Sequence, residues 1–257
     1  MARVLAIGVV LAALVFAQQR FTNASARVLL PTAGASVLHY GAEWRLMRSG
    51  VARLTLQARP GVEAGFQTDL HLETVGLAGK LYKVNNDYSA LFNEGFCASS
   101  TLLKTKESKR NRETRVTFNQ PPGKASYQER EMATGELVST REIDVPPCVH
   151  DVLAGLARLR TMGLDPGQSV NLPVSDGKKS VAGRIVAVNR ETIKTPAGTH
   201  DTIKHEAFLF NDVLYRRKGR LFVWITNDDR RLPVQIRIQL PFYLGTITLK
   251  LEKEDNG

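Results

Sequence analysis

From Val51 onward the chain alternates apolar and polar residues again and again, with a period of two. In GVARLTLQA, Ala52, Leu54 and Leu56 fall on one side of an extended segment, and Arg53, Thr55 and Gln57 fall on the other. The same opposition recurs in GFQTDLHLETV, where Phe66, Thr68, Leu70 and Leu72 face away from Gln67, Asp69, His71 and Glu73. It returns in RVTF, LVSTREIDV, GRIVAVNRETI, RLFVWIT, VQIRIQL and TITLKLE. Between these segments lie QPPGK, ATGE, DPGQ, SDGKK, TPAGT and RKGR, each with the Gly or Pro that a chain reversal needs. Short strands joined by turns, each with one dry and one wet face, predict a mainly β fold over residues 37–254. Its form is a single curved antiparallel sheet or an incomplete barrel.

Two stretches break the pattern. In PPCVHDVLAGLARLRTMG, Val149, Val152, Leu153, Leu156 and Leu159 recur at helical spacing, with prolines before and Gly163 after. This predicts one amphipathic helix near residues 148–162, plugging the open end of the curved sheet. In ITNDDRRLPV the alternation stops at two carboxylates and two arginines. Asp229 is expected to bond backbone donors of a turn there, Arg231 to pair with Asp229 or Asp151, and Pro233 to start the next strand, where no ladder donor is lost.

The first residues, MARVLAIGVVLAALVFAQQR, hold an apolar run from Val4 to Ala17 behind a single Arg. The run is short of the roughly 20 residues a spanning helix needs, so residues 1–17 are expected to be an export signal cleaved near Ala17. The alternative is a retained anchor. Residues 18–36 then form a tether, and the product is periplasmic or secreted. An oxidising compartment makes a Cys97–Cys148 disulfide the expected state of the two cysteines, against two separate buried thiols. The chain of 257 residues is 43 % apolar and carries a formal charge of +10. That composition describes a folded protein drawn to anionic surroundings.

Taken in order, LHYGAEWRLMRSGVARLTLQ, PPCVHDVLAGLARLRTMGLDPGQ, TPAGTHDTIK, WITNDDRRLPVQIRIQL and GTITLKLE resemble the bacterial exported family called domain of unknown function 3108. The likeness runs from about Val37 to Glu252. It is sharpest over the helix segment from Asp151 to Arg160 and over Asp229, Arg231, Pro233 and Val234. It implies an envelope protein with a curved antiparallel sheet and supplies no reaction, ligand or catalytic residue. The PFYLG stretch before the last strand is longer than the link usual in such proteins.

Specific catalytic signatures are missing. There is no G-x-S-x-G, and GLAGKLY has neither the spacing nor the hydroxyl of a phosphate loop. His200 and His205 flank Asp201, but an offset of five on a strand sends the imidazoles to opposite faces, so no metal and no cofactor are expected. A hydrolase of glycans or esters would need a carboxylate pair about 5–10 Å apart, and Asp151 with Asp229 is the pair to examine. Basic residues gather in KTKESKRNRETR and YRRKGR. Lys109, Arg110, Arg112, Arg216 and Arg217 are the candidate anion surface, suited to an anionic lipid or wall polymer; the alternative is a solvated strand face and hairpin tip. Phe242 and Tyr243 offer either a peripheral membrane contact or a buried bulge. Export and the lack of a stacking motif argue against nucleic acid. The function expected is a non-enzymatic binding or scaffolding module for an apolar or anionic envelope component.

Overall fold

The computed structural model describes residues 34–59, 65–108 and 110–256. The export signal, the tether up to Ala33 and Lys109 lie outside them. A first meander runs through β1 (Ala35–Trp44), β2 (Met47–Ala58), β3 (Phe66–Thr74), β4 (Val84–Phe92), β5 (Ala98–Glu107), β6 (Arg110–Asn119), β7 (Lys124–Glu131) and β8 (Leu137–Asp144). A second runs through β9 (Ser169–Ser175), β10 (Ser180–Thr195), β11 (Gly198–Phe208), β12 (Arg220–Thr226), β13 (Pro233–Gln239) and β14 (Thr246–Asn256). Each strand pairs antiparallel with the next, and β14 returns to pair with β1 from Trp44↔Ile247 to Ser36↔Asn256. All fourteen strands among the described residues thus form one sheet whose edges are β8 and β9. The alternation dictates this arrangement. Ala52, Leu54 and Leu56 are buried on the concave side, as are Ala90 and Phe92, and the inward positions merge into contiguous apolar clusters.

The sheet curls without closing. Residues 145–168 must carry the chain from the β8 edge to the β9 edge, and they do so across the concave side. His150 donates its backbone N–H to Pro173 O at 2.8 Å and accepts from Ser175 N at 2.9 Å, while Val149 O accepts from Ala98 N at 2.8 Å. The segment therefore stitches β9 to the start of β5. Farther along, Lys178 in the β9–β10 turn sits 4.3 Å from the centre of the Tyr127 ring of β7 and 3.6 Å from the Glu129 carboxylate. The β9 edge lies against the inner face of β6 and β7, and the structure is a rolled sheet with an overlap.

Helix α2 spans Val152–Met162 rather than beginning at residue 148. Residues before Asp151 are committed to sheet-like bonds, and Cys148 adopts φ 53, so no helical turn can start there. Asp151 is the N-cap, accepting from Leu153 N at 2.7 Å and from Ala154 N at 3.3 Å. Gly163 closes the helix in the left-handed region at φ 58. Leu153, Leu159 and the pair Ala154 and Ala157 each enter a different apolar cluster, which places α2 inside the curl. Two further differences from the sequence reading arise. Strand β1 starts at Ala35, inside the range assigned to the tether, because Ala35 and Ser36 pair with Gln57 and Leu56 of β2. A second helix, α1 (Gly76–Leu81), links β3 to β4; its six residues bury none of their side chains and so leave no periodic signature.

Candidate functional site

Curling the sheet around α2 leaves an apolar cavity of about 1310 Å3. Its floor is one face of α2, where Leu153, Leu156 and Leu159 line the space. Its walls come from both meanders, with Leu54 and Leu72 on one side and Ile185, Val223 and Leu249 on the other. The same period-two positions that predict a packed core thus line a hollow, because a rolled sheet this wide exceeds what its inward side chains and one helix can fill.

The strands alternate in direction, so their turns divide between two ends, and the two ends differ. At one end, α2 is tied down. Cys148 forms a disulfide with Cys97, which joins the start of α2 to the β4–β5 loop. Arg160, buried near the other end of α2, donates from Nε to Arg231 O at 2.8 Å and from Nη2 to Arg230 O at 3.0 Å. At the opposite end the cavity meets solvent, beneath the β9–β10 turn and the long β11–β12 loop, residues 209–219. There the lining includes five cations, Arg141, Lys178, Lys179, Arg216 and Arg217, against two acids, Asp176 and Asp212. Lys179 Nζ donates to Asp212 O at 2.6 Å and so pins one turn to the other.

The candidate residues separate by role. Arg216 and Arg217 are exposed at the mouth and make no ion pair among the described residues. Arg110 and Arg112 are instead neutralised on β6: Arg110 pairs with Glu129 at 2.8 Å, and Arg112 pairs with Glu131. The candidate anion surface is therefore not one patch. Lys178, Lys179 and Arg141 are additions that sequence alone did not mark. In the sequence SDGKK marks a turn and Arg141 is one residue of a strand.

Asp151 is completely buried. Burial pushes its carboxyl up to about 6, against the pull of the two backbone donors it caps, and its Oδ2 has no hydrogen-bond partner among the described residues. Tyr88 Oη approaches Oδ1 at 3.5 Å, the outer limit of such a bond. Asp229 is exposed in the β12–β13 turn, and the turn-bonding role expected of it belongs to Asp228. Asp228 Oδ1 accepts from Thr226 Oγ1 at 2.6 Å, Arg231 N at 3.0 Å and Arg230 N at 3.2 Å. Side chains alternate along the turn, so only the first of the adjacent acids points back across it. Arg231 forms no ion pair with a described residue; its guanidinium instead packs over Gly163, where a Cβ would lie 2.8 Å from two of its nitrogens. Strand β13 opens on Pro233, whose carbonyl accepts from buried Tyr40 Oη at 2.7 Å.

This geometry keeps the two carboxylates apart. The turn bearing Asp229 meets α2 at Arg160, nine residues beyond Asp151, which is roughly 13 Å along the helix axis. Asp151 is sealed under the helix start while Asp229 faces water. His205 points inward and is buried, and burial followed by the charge of Arg231 takes its imidazole down to about 4. His200 sits an odd number of residues away on β11, on the other face. No helix among the described residues is long and apolar enough to cross a membrane.

The family model described as "Protein of unknown function (DUF3108)" matches residues 38–252. Comparison with curated proteins gives no match. Among solved structures, the chain is similar to a β-barrel-like protein of domain of unknown function DUF1849 from Brucella abortus. That match has 10 % identity and a TM-score of 0.58, covering 88 % of this chain and 98 % of the other. An exported protein with a YmcC-like fold from Bacteroides fragilis also aligns, at 10 % identity and a TM-score of 0.38, over 87 % of this chain and 96 % of that one. The first likeness is one of fold alone.

Proposed function

The chain belongs to the DUF3108 family, and we propose that it is a non-enzymatic carrier or holder of an envelope amphiphile, with the hydrocarbon chain in the cavity and an anionic head group at the mouth. The observation that carries this reading is an apolar cavity whose mouth carries Arg141, Arg216 and Arg217, none of them in an ion pair among the described residues. Its volume, about 1310 Å3, exceeds the roughly 300–1,000 Å3 of ordinary small-molecule sites. Among its lining residues the charged groups are gathered at the opening, while Leu54, Leu72, Ile185 and Leu249 supply the walls. A dry apolar hollow favours hydrocarbon over water. Arg216 and Arg217 are placed to meet a phosphate or carboxylate. The apolar leader at residues 1–17 supports an envelope location.

Leu156→Trp tests the reading by placing a larger ring on the cavity floor. A dansyl-labelled fatty acid should bind the parent protein saturably, with a blue shift in its emission. Each methylene excluded by the tryptophan forfeits about 0.8 kcal/mol, so losing two exceeds the roughly 1.4 kcal/mol of a tenfold change. The variant should therefore bind at least about tenfold more weakly, with its melting temperature little changed. Arg216→Glu with Arg217→Glu should weaken the fatty acid in low salt and leave an uncharged long-chain alcohol unaffected. No saturable binding by the parent, or equal affinities in the parent and both variants, overturns the reading.

A further inference from the structure

The exposed apolar side chains of this protein are gathered at one end. Burial explains the interior, yet twelve large apolar residues among those described remain exposed, and all but Val188 lie in or beside the turns at the cavity-mouth end. Leu46 is 93 % exposed in the β1–β2 turn, Leu77 and Leu81 are exposed on α1, and Phe242 is 99 % exposed in the β13–β14 turn beside exposed Tyr243. These tips are held together. Trp44 Nε1 donates to Leu244 O at 2.7 Å, and Arg45 donates from its backbone N–H to Thr246 O at 3.3 Å and from Nη2 to Tyr243 O at 2.6 Å. Helix α1 is fastened to β2 through Val75 N and Ser49 O at 2.9 Å. The same end carries Lys80, Lys83, Lys106 and Lys218, none of which makes an ion pair among the described residues.

We propose that this rim docks on the surface of an anionic phospholipid membrane, with Leu46, Leu77, Leu81, Phe242 and Tyr243 in the interface and the lysines over the phosphates. The pairing of protruding apolar tips with flanking cations is what an interfacial contact with anionic lipid requires. Charge selects the occupant, because free cations around the apolar tips complement lipid phosphates and would repel one another across an interface between two copies of the chain. Docked this way, the cavity mouth faces the bilayer, so an amphiphile could pass between the two without exposing its chain to water. The docking proposal goes beyond the carrier reading and is measured separately from it.

The test uses protein recovered from the envelope of an expressing bacterium and freed of bound lipid. It should cosediment with vesicles of phosphatidylglycerol and phosphatidylcholine in equal parts, bind poorly to phosphatidylcholine alone, and dissociate as salt rises. Leu46→Ser with Phe242→Ser should lower vesicle partitioning about tenfold or more, and Lys80→Glu with Lys83→Glu should do the same, since each basic group near an anionic surface contributes severalfold. None of these four residues lines the cavity, so both variants should capture the dansyl-labelled fatty acid like the parent. Vesicle binding that ignores lipid charge, partitioning unchanged in both variants, or no vesicle binding overturns the proposal. So does a dimer in vesicle-free solution that Leu46→Ser with Phe242→Ser dissociates, because the rim would then be a self-interface. Loss of fatty-acid capture with vesicle binding intact would instead count against the carrier reading alone.

Discussion

Replacing both Cys97 and Cys148 by Ala should lower the unfolding free energy by about 4 kcal/mol, the loop-closure entropy of a cross-link spanning some fifty residues. The covalent loop has a sequence separation of 51 and encloses β5 to β8. For a chain of this size each kcal/mol moves the midpoint by about 2–4 °C, so melting should fall by roughly 10 °C. The consequence reaches the cavity, since Cys148 lies three residues before the Asp151 cap and fixes where α2 begins. Reducing the parent protein with a thiol should reproduce the double variant in a thermal melt. A melt that moves by less than a degree would show that the hydrogen bonds from Val149 and His150 hold the segment without the bridge.

The second large effect is a pH dependence carried by Asp151. Its folded carboxyl titrates near 6 instead of 3.8, chiefly because burial penalises its charge. Between those values the folded state holds a proton that the unfolded state has released, so this group's contribution falls as pH rises from about 4 to 6. At pH 7 the buried charge costs roughly 3 kcal/mol. Asn can keep the bonds to Leu153 N and Ala154 N while carrying no charge. Asp151→Asn should therefore be more stable than the parent at pH 7 by up to about 3 kcal/mol, and the advantage should vanish near pH 4. His205 acts in the opposite sense. Its folded imidazole titrates near 4 rather than 6.5, so the stability it contributes is lost as pH falls through that window. The two buried groups offset each other in the parent, and the variant should show the steeper acid decline. Urea unfolding of both proteins from pH 4 to 7 checks this, and a difference between them that is flat with pH would contradict it.

Much of the architecture was legible because strands write themselves at period two. Leu54 and Leu56, or Leu70 and Leu72, can share a dry side only in extended chain, and the turns between segments carry their own Gly and Pro. The hollow was not legible. An inward Leu reads the same whether it meets another side chain or empty space, and only the width of the rolled sheet decides which. Pairing across the sheet was hidden for the same reason. Arg110 and Arg112 look like free cations in KRNRETR, yet Glu129 and Glu131 reach them from the neighbouring strand. Adjacent acids in NDDRR gave no way to tell that Asp228 points back across the turn while Asp229 points out. The bulge at Val188 and the short helix α1 arise from tertiary placement, with no periodic mark in the chain. By contrast, Asp151 and Gly163 bracket α2 by cap chemistry that a sequence does display; the helix begins at Val152, four residues beyond Cys148, because Val149 and His150 are held by β-type bonds.

The carrier function requires the cavity to hold a hydrocarbon chain. The most direct measurement is native mass spectrometry of protein purified from a bacterial envelope without detergent or reductant, followed by solvent extraction of what it releases. The expected spectrum shows one amphiphile bound per chain, extractable into organic solvent and bearing an acidic head group, with occupancy lost in Leu156→Trp. A spectrum of bare polypeptide, or of a water-soluble polar adduct that survives Leu156→Trp, would contradict it.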